Sequence, residues 1–415
     1  MPIQEVKLLK DRNVAILTFS QAISQLGDRI NNMAILGLLG LHATGSTEYG
    51  FLAFWTVIPV AVFGPIAGAI ADRFNRKYLM AFADIMRGLI VLAIPFLFKS
   101  TGRMVVVYAS VFAVFTFTVL FNSAKNGVVV HVARSKDRIA VINGLMSFWG
   151  RIATGLGILL GGIISDQHLW KRFGFEGWEV GLTVDATTFF ASAFLLIFLA
   201  VSGEYIKPQG NGTSLHYVSA VKEAVRFVRK RKILMHSLIA AALISFVGGA
   251  TYILGIVKLQ KIGHTTTSQL GVAGGVYGLG LFLGSYLAGR VLPSKEYRNL
   301  WNSIFFLALS MFGLALTTNV WILLPIAALG GVFTSIGFIA LDSIFQKYST
   351  AEYLGRVVIL KDIVNALTFT STVLILGRWN DILASHVGFA RALNINLTAV
   401  AVVVLVVLFI RRFLR

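Results

Sequence analysis

Residues 64–77 read Gly64-Pro-Ile-Ala-Gly68-Ala-Ile-Ala-Asp72-Arg73-Phe-Asn75-Arg76-Lys77, and a second apolar run begins at Tyr78. An apolar stretch with small residues at Gly64 and Gly68 thus ends in one acid and three bases. A turn this short joins two membrane helices as an antiparallel hairpin. It also sets Asp72, Arg73, Arg76 and Lys77 at one membrane face.

The rest of the chain supports a membrane reading. Hydrophobic residues make up 56% of it and charged residues 13%. A soluble domain carries about 25% charged residues, so this is an all-α integral membrane protein. A span needs about 20 apolar residues. Twelve segments qualify: 14–41, 48–71, 78–98, 104–130, 139–165, 181–203, 235–258, 269–290, 299–317, 320–345, 355–378 and 391–410. The first is too long for a cleaved leader and lacks a small-residue cleavage site.

The net charge of +19 suggests nucleic acid, but the bases lie in short loops rather than in one patch. They concentrate on one side: Lys7, Lys10 and Arg12, the loop with Arg73, Arg76 and Lys77, Arg134 to Arg138, the long linker, Arg290 to Arg298, Lys347, Arg356 and the C-terminal arginines. The opposite side carries fewer, among them Lys99, Arg103, Lys171, Arg172 and Arg378. Positive loops face the cytoplasm, so both termini are expected there, in a plasma (inner) membrane protein. There is no cysteine, which excludes disulfides and thiolate metal sites. The seven histidines show no metal spacing. No cofactor, metal or enzymatic activity is expected.

The longest polar break, 204–234, separates a six-helix bundle at 1–203 from another at 235–415. It starts with a flexible Pro208-Gln-Gly-Asn-Gly-Thr-Ser stretch. An amphipathic helix then covers 214–230, with Val218, Val221, Ala224, Val225 and Val228 on one side and Lys222, Arg226, Arg229 and Lys230 away from it. Such a helix is expected to lie on the inner membrane surface.

The pattern Gly68-x-x-x-Asp72-Arg73-x-x-Arg76-Lys77 resembles the signature loop of the major facilitator superfamily of transporters. Asn75 stands where that family usually has Gly, and Asn also tolerates a left-handed turn. The second copy, after Gly284 and Gly289-Arg290, keeps bases without the acid. Further motifs are Ser24-Gln-Leu-Gly-Asp28, Ala83-Asp84-Ile-Met-Arg87, Asn122-Ser-Ala-Lys125, Ala140-Val-Ile-Asn143-Gly144 and Tyr353-Leu-Gly355-Arg356. Together they are similar to the exporter branch that includes macrolide and enterobactin efflux proteins. The stretch around segments 4 and 5 is also similar to the bacterial lysophospholipid flippase. One departure is Leu156 after Gly155, where antiporters often carry Gly-Pro. The resemblance implies that Asp72 docks at the start of segment 11, near Gly355 and Arg356, when the transporter is closed inside. A carboxylate is favoured at a helix N-terminus.

Ionisable groups inside spans are costly and face a cavity or a partner. Asp28 lies roughly 20 Å into segment 1 at about 1.5 Å per residue. It is the candidate for exchanging a proton or holding a cation, and the adjacent Arg29 points elsewhere. Asp84 and Arg87, three apart, pair on one helical face with a structural or gating role. Lys125 is the candidate for an anionic headgroup. Arg151, a candidate for neutralising an anion or pairing with an acid, sits among small residues, Gly150, Gly155, Gly157, Gly161 and Gly162, that permit close helix approach; segment 8 has a similar track, including Gly271. Asp185 is expected to reach water. Asp342, Lys361 and Asp362 are expected to form gate ion pairs, with Lys361 and Asp362, being adjacent, not facing each other.

Few buried charges argue against a sugar or strongly ionic nutrient and for an amphiphilic substrate. No phosphate-binding Gly-x-x-x-x-Gly-Lys loop is present, so an ion gradient is the expected driver. The expectation is a monomeric alternating-access transporter of twelve helices, exporting amphiphilic small molecules against protons. The alternatives are a lipid or lysophospholipid flippase and an uptake or facilitative carrier.

Overall fold

The computed structural model describes residues 9–133, 135–200, 213–292 and 295–413. Among the described residues the regular structure is helical throughout. Six long helices precede the linker: α1 Arg12–His42, α2 Ser46–Arg73, α3 Arg76–Thr101, α4 Met104–Ala133, α5 Lys136–Ile164 and α6 Gly177–Ile197. The linker helix α7 covers Thr213–Arg229. α8 starts at Lys232–Ala250, passes through a π turn at Thr251–Gly255 and ends at Ile256–Lys261. Then follow α9 Thr267–Val291, α10 Glu296–Leu316, α11 Val320–Tyr348, α12 Ala351–Val387 and α13 Phe389–Phe413. Among the described residues, eleven helices are long and apolar enough to cross a membrane. α1 falls outside that set because Gln21, Gln25, Asp28, Arg29, Asn31 and Asn32 dilute its apolar residues.

The chain divides into two compact units: Met1–Leu38, Trp55–Asn211 and Thr266–Val272 form one, and Leu39–Phe54, Gly212–Thr265 and Ala273–Arg415 the other. α1, α2 and α9 therefore each contribute to both. In the first unit Val14, Leu17, Met80, Ala83, Phe121, Ala124, Val128, Ile142, Leu145 and Leu196 bury one core that ties α1, α3, α4, α5 and α6 together. In the second, α10 packs on α11 and α13, and α12 packs on α7, α8 and α13.

Small residues set the closest approaches. A Cβ on Gly162 of α5 would fall 2.5 Å from Cα of Gly271 on α9. Gly157 and Gly161 lie against the backbone of α1, where Cβ atoms would meet Leu26 O at 2.6 Å and Ile30 Cα at 2.7 Å. Gly157, Gly161 and Gly162 of α5 and Gly271 of α9 thus lie on packing surfaces, whereas Gly155 has open space around it.

Three local expectations are corrected. Asn75 is not left-handed: its φ of −63° and ψ of 113° are extended, and its side chain accepts from Lys77 N. With α3 beginning at the next residue, Asn75 is an N-cap, a role that needs extended backbone. α12 continues nine residues past the expected end at 378, to Val387. Its polar end interrupted the apolar run, yet Asn380 and Asp381 there find partners that let the helix proceed. The apolar side of α7 does not lie free for the membrane surface. Ala224, Phe227 and Val228 are buried, Phe227 stacks on Tyr353 of α12 at 4.4 Å, and Val225 is exposed. The linker stretch from 208 to 212 and the side chain of Val218 lie outside the described residues.

Gly162→Val should cost about 1–3 kcal/mol through overpacking. Gly64→Ala should leave stability unchanged, because nothing lies within 4 Å of its Cβ position. Thermal unfolding in detergent, followed by tryptophan fluorescence, checks both; equal shifts would contradict the packing described.

Candidate transport site

Four helices of the first unit meet around one arginine. Arg87, on α3, is 1% exposed. Its guanidinium pairs with Asp84 one turn earlier, lies 3.8 Å from Asp28 of α1 and reaches Thr118 of α4 at 3.4 Å. It also lies over the rings of Phe121 and Phe189, at 4.8 and 4.3 Å from the ring centres. Asp84 is fully buried and accepts a 2.6 Å bond from Ser192 of α6. The expected Asp84–Arg87 pair is therefore present, and α6 completes it.

Asp185 departs from expectation. It does not reach water: it is 0% exposed and accepts from Asn31 Nδ2 of α1 at 2.6 Å. Asn31 lies one turn beyond Asp28, so α1 carries two polar groups toward this region. Position alone suggested a solvent-exposed end for Asp185. The signal available in the sequence was Asn31, a polar residue one turn from Asp28. Three carboxylates thus gather near one guanidinium, and Asp28 is the open member, with its side chain 32% exposed.

α1 also bears a polar stripe leading to Asp28. Thr18, Gln21, Gln25 and Asp28 recur at helical spacing, on one face. Thr18 Oγ1, Gln21 Oε1 and Gln25 Oε1 are buried without a hydrogen-bond partner, as is the indole nitrogen of Trp149 on α5. Arg29 also has a buried Nε without a partner. Arg151 of α5 is exposed. Lys125 donates to Asn122 Oδ1 at 3.0 Å, within its own helix.

In the signature loop, Asp72 and Arg76 form an exposed pair at 2.9 Å. Arg76 also lies over Gly127 of α4, where a Cβ would sit 2.4 Å from its Nε. Gly68 has open space around it, Arg73 is exposed and Lys77 lies 5.6 Å over Tyr78. In the second unit Gly355 has open space, and Arg356 pairs with Glu223 of α7 at 2.5 Å. Lys361 pairs with Asp342 at 2.6 Å. It also reaches the adjacent Asp362 at 3.4 Å, contrary to expectation, because a lysine's long flexible chain bends back over the next residue.

The second unit holds a groove of about 370 Å³ between α8 and α12, lined by Phe246, Leu367, Ser371, Thr372, Ile375 and Leu376. The hydroxyls of Ser371 and Thr372 donate to carbonyls of their own helix, so the groove offers an apolar surface of the size small-molecule sites have.

The chain belongs to the Major Facilitator Superfamily, whose family model matches residues 17–369. It is a multi-pass membrane transporter with the secondary-carrier fold. It is 25% identical to the uncharacterized MFS-type transporter YfiS of Bacillus subtilis, over 67% of this chain and 64% of that one, so the match spans just under two thirds of that relative. It is 24% identical to BacE of Bacillus subtilis, named provisionally for bacilysin export, over 80% of this chain and 77% of BacE. A shorter match, 26% identical over 40% of each chain, is to the lysophospholipid transporter LplT of an Enterobacter species. Among solved structures, a bacterial homolog of the human lysosomal transporter Spinster superposes with a TM-score of 0.73 at 13% identity, covering 98% of this chain and 96% of that one.

Asp84→Asn should destabilise the fold by about 3–5 kcal/mol, since it strips the closest partner from a buried guanidinium. Asp28→Asn, at the open edge, should cost less than half of that. Thermal midpoints of the two purified variants decide the point; equal losses would show that Asp28 and Asp84 are both structural.

Proposed function

We propose that the protein is a proton-coupled exporter of amphiphilic or hydrophobic small molecules. It works by alternating access between two six-helix bundles, with twelve spans in the plasma (inner) membrane and both termini in the cytoplasm. The observation that carries this reading is Asp28: a carboxylate inside a span, one third exposed, beside a guanidinium whose tighter partner is Asp84. A proton on Asp28 and a cationic substrate near it satisfy the same negative charge. Each therefore displaces the other, and displacement is what couples opposite fluxes. Thr18, Gln21 and Gln25 supply polar groups for water along the approach to Asp28. The bundles rock about the site, and each ligand shifts the equilibrium by its differential affinity for the two states. The match to BacE supports the export direction.

A second reading is a lysophospholipid flippase. The match to LplT favours it, together with Lys125, a basic group inside α4 whose hydrogen-bond partner is the neutral side chain of Asn122, which suits an anionic headgroup.

The test uses liposomes with a pH-sensitive dye inside. A gradient of tetraphenylphosphonium should drive proton movement in the wild type, and Asp28→Asn should abolish it. Lysophospholipid movement with no pH signal, unaffected by Asp28→Asn and lost in Lys125→Gln, would replace the exporter reading with the flippase.

A further inference from the structure

Two places in the fold repeat one arrangement. α5 runs into Gly162-Ile-Ile-Ser165-Asp166, and α12 carries Gly377-Arg-Trp-Asn380-Asp381 before its last turns. α2 starts Ser46-Thr47-Glu48-Tyr49-Gly50, and α9 starts Thr267-Ser268-Gln269-Leu270-Gly271. Each pair shares residue types in the same order: Gly-x-x-polar-Asp in the first, hydroxyl-hydroxyl-Glu/Gln-x-Gly in the second.

The structure joins them in the same way. Asp381 accepts from the backbone nitrogens of Ser46 and Thr47 at 2.7 and 2.8 Å, and from the Thr47 hydroxyl at 2.5 Å. Asp166 accepts from the backbone nitrogen of Ser268 at 3.0 Å. Thr47 and Ser268 are both the second residue of their helices. The carboxylate thus meets the same unpaired helix donor in both copies. Just before each helix, the third residue of the repeat reaches back: Glu48 to Thr44 N, and Gln269 to Thr266 N. The glycines match too. A Cβ on Gly50 would fall 2.8 Å from Val373 O of α12, and one on Gly271 would fall 2.7 Å from Gly162 Cα of α5. So in each copy a helix start is pressed onto the helix that supplies its carboxylate.

Each contact joins a segment before the linker to one after it. The first copy is reinforced from its other side: Lys261, at the end of α8, donates to Gly40 O and Ala43 O at 2.9 and 2.6 Å. The turn between α1 and α2 is therefore held by a cation on the carbonyls of one helix and a carboxylate on the amides of the next, both favourable to the helix dipoles. Asn380 donates to Ser46 Oγ and accepts from Asn396, which ties the contact into α13.

We propose that Asp166 and Asp381 are a twofold-repeated latch that closes the outer mouth of the transporter, so that opening outward requires both carboxylates to leave the helix starts they cap. The assignment to the outer side rests on the orientation proposed above, in which the turns between α1 and α2 and between α8 and α9 are external. Asp166 sits in a turn outside the spans. Burial works to raise its carboxyl group, but hydrogen bonds from His168 N, Ser268 N, the Thr266 side chain and the His168 ring outweigh that and hold it below the usual carboxylate range. A lowered value means the contribution is fully present above the ordinary carboxylate value and is lost only as pH falls through the lowered one. This latch is therefore engaged at neutral pH.

The chain has no cysteine, so spin labels can be placed cleanly at Thr44→Cys and His386→Cys, both exposed and flanking the Asp381 contact. Pulsed dipolar spectroscopy on the full-length protein should give a short, narrow separation. Asp381→Asn should raise the population of longer separations about tenfold, the order of effect of losing a charged cap. Asp166→Asn, in the other copy, should do the same at this label pair, and the double variant should exceed either. Asp381→Ser keeps a cap acceptor without charge, should fold readily and should open less. Unchanged distances in a monodisperse double variant, or no response to Asp166→Asn, would overturn the latch. Opening with no proton movement in the liposome assay would reject the exporter reading and leave the latch standing.

Discussion

A guanidinium keeps its charge wherever the chain puts it, and this chain puts one where water does not reach. Arg87 is the constraint to which the first unit answers. Its charge requires Asp84 one turn away, and Asp84 in turn requires the Ser192 hydroxyl of α6. Phe121 and Phe189 present ring faces to it from α4 and α6, which compensates part of the lost hydration. With that partner fixed, Asp28 is left as the looser and more exposed neighbour. The two carboxylates, on different helices, thus differ in distance from the guanidinium and in exposure.

The same physics recurs at the ends of the helices. An unpaired amide at a helix start is the cheapest partner a membrane transporter can offer a carboxylate, because it needs no second charge in the span. The signature loop led us to expect that arrangement for Asp72 at the start of α12. That expectation belongs to the state closed inside; locally, Asp72 pairs with Arg76, and Arg356 with Glu223. The arrangement is found at Asp381 on α2 and Asp166 on α9. A contact made of backbone amides and one carboxylate is directional and breaks over a short displacement, which suits an element that must open and close repeatedly.

Much of this was legible in the sequence. Apolar length and loop charge gave the membrane class, and Gly68 to Lys77 gave the family. Spacing of three gave the Asp84–Arg87 pair. The glycine tracks on α5 and α9 gave their close packing. What could not be read was tertiary. Asp185 looked like a residue near a helix end, because nothing local shows that Asn31 lies opposite. The linker helix was read by its amphipathic face, yet an apolar face does not say whether lipid or Tyr353 covers it. α12 was cut short at Arg378, because hydropathy falls where Asn380 and Asp381 begin, and only their partners on α2 keep the helix going. The repeat between Gly162–Asp166 and Gly377–Asp381 was written in the residues but too brief to stand out before the contacts showed its meaning.

The central claim is that one negative charge at Asp28 is shared in turn by a proton and a cationic substrate. The most direct measurement is proton release on binding, in detergent and weakly buffered solution, with tetraphenylphosphonium titrated into the purified protein and the pH followed by an indicator. The account predicts release of protons that saturates with binding and disappears in Asp28→Asn. Saturable binding with no proton release, or the same release from Asp28→Asn, would contradict it.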